Sequence, residues 1–180
     1  MGKRNYLIEG VSGAGKTTVA EELERRGYQV VHGDRVLARH GDPTTGKVFD
    51  SPHAGWSLEQ RHERWIWDVQ LVRATVADAS CSLTFFCGGS RNSATFLDLF
   101  DAVFVLEVDV DTLNRRLDAR PADEFGNAAD ERALVLRVHQ TREDLPMGGV
   151  SIDATRPIAD VVDAILRWVE GEADAAEPVT

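Results

Sequence analysis

Apolar and polar positions along the chain follow two alternating periods. Short, nearly unbroken apolar runs occur at YLIEG (6–10), YQVVHGD (28–34), SLTFFCG (82–88), AVFVLEV (102–108) and VSIDA (150–154). Runs of this length, bounded by turn residues, read as strands buried on both faces. Between them the apolar positions recur at helical spacing. TTVAEELERRG (17–27) places Val19, Ala20 and Leu23 on one face, with acidic residues early, arginines late and Gly27 as the stop. Further helices are expected over 57–79, capped by Ser57, over 112–120, capped by Asp111, over 129–144 and over 158–171. A loop rich in glycine, proline and aspartate runs from His40 to about Gly55. Strands alternating with helices predict an α/β domain over 1–170, a parallel five-stranded sheet between two helical layers. Residues 171–180 are small, acidic and proline-broken, and are expected to be a disordered tail.

Composition narrows the partners. The chain has 180 residues, 43% of them hydrophobic, which suits one well-buried core. Its formal net charge of −10 repels phosphate backbones and acidic membranes, so neither nucleic acid nor membrane is expected as a partner. Anionic ligands must then be met by local clusters of arginine, lysine or backbone N–H. Cys81 and Cys87 stand roughly 20 Å apart if the third strand is intact, too far to bridge. Free cysteines, no charged-then-apolar leader and no long apolar run imply a reduced, cytoplasmic protein. The five histidines show no metal-ligand spacing with the cysteines.

One motif carries chemistry directly. GVSGAGKTT follows the first strand and opens the first helix. Gly10, Gly15, Lys16 and Thr17 fit GxxxxGK[ST], and the strand-to-helix context is the one that gives the pattern meaning. Glycines, with Gly13 among them, let successive N–H groups of Ser12, Ala14 and their neighbours through Thr18 face a phosphate. The helix adds its positive end, Lys16 reaches the β and γ phosphates, and Thr17 offers a hydroxyl to Mg²⁺. ATP with Mg²⁺ is the expected ligand pair.

This loop, the Asp34–Arg35 pair after the second strand, the arginine-rich helix after the fourth, and IDATRPIADVVDAIL near the end together resemble the nucleoside and nucleotide kinases of the P-loop class. Within it the chain is similar to small bacterial kinases of nucleosides, shikimate, gluconate or antibiotics. The resemblance implies a three-layer P-loop fold with a small lid at about 115–131, an acceptor-binding region at about 34–70, and a monomer or homodimer.

It also implies roles. Asp34 would take the proton of the acceptor hydroxyl, or hold that hydroxyl in line with the γ-phosphate, and touch the metal's water shell, with Arg35 beside it. Gly88 and Gly89 would let the acceptor approach the backbone, with Arg91 and Asn92 projecting donors. Many P-loop proteins carry an aspartate at the end of that strand for the magnesium shell, where this chain has Cys87 and Gly88. Arg116 and Arg120 would close over the phosphates from the lid, and Thr155, Arg156 and Pro157 would line the base pocket. Phe49 and Trp56 in the loop, with Arg64, are the aromatic and cationic candidates for the acceptor. Trp65, Ile66 and Val69, at helical spacing, equally suit a core face. Two function classes follow: a kinase transferring the γ-phosphate of ATP to a hydroxyl or phosphate of a small acceptor, above all a nucleoside or nucleotide, or a nucleotide-dependent switch with no small acceptor.

Overall fold

The computed structural model describes residues 4–50, 54–78 and 80–176. Strand β1 (Arg4–Glu9) leads into helix α1 (Lys16–Arg25), and β2 (Gln29–His32) is followed by the single turn α2 (Gly33–Val36) and the short strand β3 (Ala38–His40). Next come α3 (Leu58–Glu63), β4 (Trp65–Trp67), α4 (Val69–Ala77) and β5 (Leu83–Cys87). The chain closes through β6 (Ala102–Glu107), α5 (Val110–Asp118), α6 (Ala129–Thr141), β7 (Val150–Asp153) and α7 (Ile158–Ala176).

The main sheet has the order β2-β5-β1-β6-β7, and every pairing in it is parallel. β1 lies at its centre, so residues alternate between two covered faces. Tyr6 and Ile8 join Phe85, Phe104 and the apolar sides of α1, α5, α6 and α7. Leu7 joins Phe86, Trp67, Phe96 and Phe100 on the other face. This two-sided burial is why the strands read as continuous apolar runs. The second cluster is aromatic: the Trp67 and Phe96 rings stack with centroids 5.6 Å apart, and Phe86 meets Phe100 edge-on at 5.1 Å. Leu23, fully buried against the first cluster, would cost about 2–5 kcal/mol on truncation to alanine.

Three local expectations change. The helix expected over 57–79 is broken into α3, β4 and α4. β4 pairs antiparallel with β3 in a separate two-stranded ribbon, Ala38 opposite Trp67 and His40 opposite Trp65. The run Trp65-Ile66-Trp67 suits a strand better than a helix. Asp68 then restarts the helix by accepting from the N–H groups of Gln70 and Leu71. Ser57 caps as expected, in a reciprocal box with Gln60. The cap of α5 is Asp109, whose Oδ1 accepts from Thr112 N at 2.6 Å, and Asp111 lies inside the first turn. Finally, α7 continues through Ala176, so the segment expected to be disordered from 171 starts as helix, and 177–180 lie outside the described residues. Cys81 precedes β5 and Cys87 ends it, both free. Among the described residues no helix is long and apolar enough to cross a membrane.

Candidate active site

β1, β2 and β5 end at the same edge of the sheet, where open parallel sheets hold their ligands. The loop from Gly10 to Gly15 turns there because Gly13 and Gly15 adopt φ of 92° and 107°, a region side chains with a Cβ avoid. Lys16 folds back over the loop, its Nζ donating to Gly10 O at 2.5 Å and Val11 O at 3.2 Å. Burial pushes its pKa down while Asp34 and Glu9 hold it up. A cavity of about 680 Å³ opens beside this loop, lined by residues 12–19. Asp34 and Arg35 from α2, Arg116 from α5, Arg120 and Glu124 from the segment just beyond it, Ala154 and Arg156 after β7, and Ile158 and Val161 of α7 complete the wall.

Arg116 on α5 and Arg120 just beyond its end hold the loop from outside. Arg116 donates to the carbonyls of Gly13 (3.3 Å), Ala14 (2.8 Å) and Ala154 (2.6 Å). Arg120 donates to Ser12 Oγ at 3.1 Å and to Phe125 O. Their charges lie beside the cavity, and their hydrogen bonds fix its floor. Thr155 is turned onto Asp153, Oγ1 to Oδ1 at 2.6 Å, and neither it nor Pro157 lines the cavity. Arg156 pairs with Asp160 at 3.1 Å at the rim.

A second cavity of about 480 Å³ adjoins the first, sharing Ser12, Lys16 and Asp34 with it. Leu58, Trp65, Phe125, Leu134, Val135 and Val138 give it apolar walls. Gly89 and Arg91 reach it from the turn after β5, and Gly10 from the loop. Asp34 is oriented by Gly89, whose N–H donates to Oδ1 at 3.0 Å. Gly88 has to be glycine: a Cβ there would stand 2.6 Å from the Trp67 ring and 2.7 Å from Asp34 Oδ1.

The other acceptor candidates are placed differently. Arg35 faces the first cavity and not the second. Asn92 is buried and spent on structure, bonding both the N–H and the carbonyl of Trp67 at 2.9 Å, so it presents no donor to the crevice. Phe49, Trp56 and Arg64 form a cluster outside the second cavity: Phe49 meets Trp56 at 5.8 Å and the Arg64 guanidinium lies 5.3 Å from the Trp56 ring. That cluster backs His40, 5.6 Å from Trp56, and the rings that face the cavity are those of His40, His62, Trp65 and Phe125.

Glu9, Asp144 and His62 were not singled out by the sequence. Glu9 ends β1 at 1% exposure. Burial raises its pKa to about 7, against the pull of Lys16, Arg91 and the Ser90 N–H. Asp144, beyond α6, pairs with Arg91 and lies 2.8 Å from His62 Nε2. Burial and Arg91 hold His62 down to about 4, so the Asp144 charge is answered by Arg91. For magnesium, the hydroxyl of Thr17 in the first turn of α1 and the exposed carboxylate of Asp34 line one cavity and are hard oxygen donors, a set that suits a hydrated cation held between protein and phosphates.

A family model described as an AAA domain matches residues 7–136, from β1 into α6. The chain belongs to the AAA domain family. Among solved structures this AAA domain is similar to a gluconokinase from Sinorhizobium meliloti 1021, at 17% identity over 97% of this chain and 98% of the other, TM-score 0.59. It is similar to the shikimate kinase from Bacteroides thetaiotaomicron, at 15% identity over 93% and 98%, TM-score 0.60. A sugar kinase from Janibacter sp. HTCC2649 shares 21% identity over 93% and 95%, TM-score 0.55. No curated protein matches the sequence. The AAA domain thus has the three-layer fold of small P-loop kinases, a five-stranded parallel sheet with flanking helices.

Proposed function

We propose that this AAA domain is an ATP-dependent kinase that transfers the γ-phosphate to a hydroxyl of a small acceptor, with a nucleoside as the leading candidate. The observation that carries the reading is the position of Asp34, on the wall shared by two adjoining cavities. One is built around a phosphate-binding loop; the other is walled by apolar side chains and sized for a small molecule.

The loop N–H groups and the start of α1 bind the phosphates of ATP, and Lys16 swings its ammonium from the Gly10 carbonyl to the β and γ oxygens. Thr17 and Asp34 would hold Mg²⁺, which when bound neutralises charge on the phosphates. Asp34, fixed by Gly89, accepts the acceptor's O–H proton as that oxygen forms its bond to γ-phosphorus. The bond from γ-phosphorus to the β,γ-bridging oxygen breaks, and ADP leaves with the electron pair. Arg120, held on Ser12 beside the phosphate loop, would neutralise the charge that develops on the transferring group. Arg116 keeps the loop carbonyls turned outward.

The test is ADP release from Mg-ATP against nucleosides, nucleoside monophosphates, shikimate, gluconate and hydroxylated antibiotics. One strong responder is expected over slow basal hydrolysis. Uniform slow hydrolysis with intact ATP binding would contradict the reading in favour of a nucleotide switch.

A further inference from the structure

The second cavity carries matched charge. Lys16, Arg61 and Arg91 face it with Asp34, Glu131 and Asp144, three cations to three carboxylates. Two of these are committed to the chemistry, Lys16 to the phosphates and Asp34 to the hydroxyl. Arg61 is exposed at the rim. Glu131 accepts from the Gly126 N–H at 2.8 Å.

That leaves Arg91 and Asp144, paired with each other at 14% and 10% side-chain exposure. Arg91 also has the Glu9 carboxylate behind it. An acceptor bearing its own carboxylate or phosphate would have to take Arg91 from Asp144, leaving Asp144 buried without its cation beside a neutral His62. An uncharged molecule disturbs nothing. It would meet Trp65, Phe125 and the Leu134, Val135, Val138 face of α6 with an apolar surface, and Asp34 with a hydroxyl.

We infer that the acceptor is an uncharged alcohol with a flat or apolar ring face, and that Asp144 is the residue that selects it by occupying the one buried arginine an anionic acceptor would need. The inference rests on the kinase reading, and it makes Asp144 a specificity residue that touches no reacting atom.

The probes are matched pairs: nucleosides and their 3′-monophosphates, methyl shikimate and shikimate, and nitrophenyl glucoside and nitrophenyl glucuronide. ADP release and thermal shift in the presence of Mg-ADP are both read for wild type, Asp144→Asn and Asp144→Glu. In wild type the neutral member of the responding pair is expected to have a kcat/KM about 100-fold or more above its anionic partner, the order expected when a buried charge is left unpaired. Asp144→Asn should narrow that gap at least tenfold by improving the anionic member, while Asp144→Glu retains it. A wild-type preference for anionic members, or a ratio untouched by Asp144→Asn, overturns the inference. If no probe is phosphorylated the kinase reading fails, and thermal shift still decides the charge rule: stabilisation by neutral members alone supports it, and stabilisation by anionic members, or by none, overturns it.

Discussion

The Asp34 carboxylate accepts the Gly89 N–H at 3.0 Å, joining the turn after β2 to the turn after β5 across the mouth of both cavities. β2 and β5 are hydrogen-bonded neighbours, His32 opposite Cys87, so two residues far apart in sequence meet at the sheet edge. The position of the candidate base is therefore set by backbone, and small changes at that turn should reach the chemistry.

Gly88→Ala tests this link. The added methyl would press on the Trp67 ring and on Asp34 Oδ1. The variant should lose roughly 1–3 kcal/mol of stability, as overpacked sites do, and transfer activity should fall well beyond what ATP affinity explains. Chemical denaturation with parallel kinetics measures both; unchanged kcat would show that Asp34 is not held by this contact.

Lys16→Ala removes the ammonium that would reach the phosphates of ATP. The Kd for ATP should rise by about 100-fold or more, the scale of a lost charge-assisted contact, measured by calorimetry. Burial already holds this lysine below its ordinary pKa, so removing it should leave the fold's stability equal or improved.

Arg116→Ala should weaken ATP binding by roughly tenfold and lower stability by about 1–3 kcal/mol, because three carbonyls of the loop and of Ala154 lose a charged donor. Were Arg116 acting on the transferring phosphate alone, kcat would drop with stability and ATP affinity intact.

Glu9 gives the pH dependence a sign. Its folded pKa of about 7 lies above the ordinary 4.5, so the folded state binds this proton more tightly than the unfolded chain. The benefit is complete below about pH 4.5 and is lost as pH rises through 7. Glu9→Gln cannot ionise, so its stability should exceed that of wild type by a margin that grows between those pH values to on the order of 3 kcal/mol at pH 8. Denaturation at pH 5 and pH 8 measures it, and a margin that is constant or shrinks with pH would contradict the burial of Glu9 as a charged group.

The sheet and the phosphate loop were legible because their signals are local: apolar runs of strand length, and a glycine pattern between a strand and a helix. The position of Asp34 was legible for the same reason, since it stands where a strand ends. What sequence reading missed depends on contacts distant along the chain. Trp65-Ile66-Trp67 read as helix because its spacing fits one, while pairing with β3 and the clamp of Asn92 on Trp67 make it a strand. Trp65 consequently faces the second cavity, and Trp56 lies tilted behind His40. Arg91 read as an open donor, but its partner Asp144 arrives from the far side of α6. Glu9 had one visible signal, a charge interrupting an apolar strand just before Gly10.

The most direct measurement compares wild type with Asp34→Asn, reading the Kd for ATP and the rate of phosphoryl transfer to the best acceptor in one series. An ATP Kd changed by little and a transfer rate reduced by roughly 10²–10⁴-fold, the usual weight of a general base, is the result expected. Transfer at the wild-type rate by Asp34→Asn would contradict the assignment of Asp34 at the junction of the two cavities as the base.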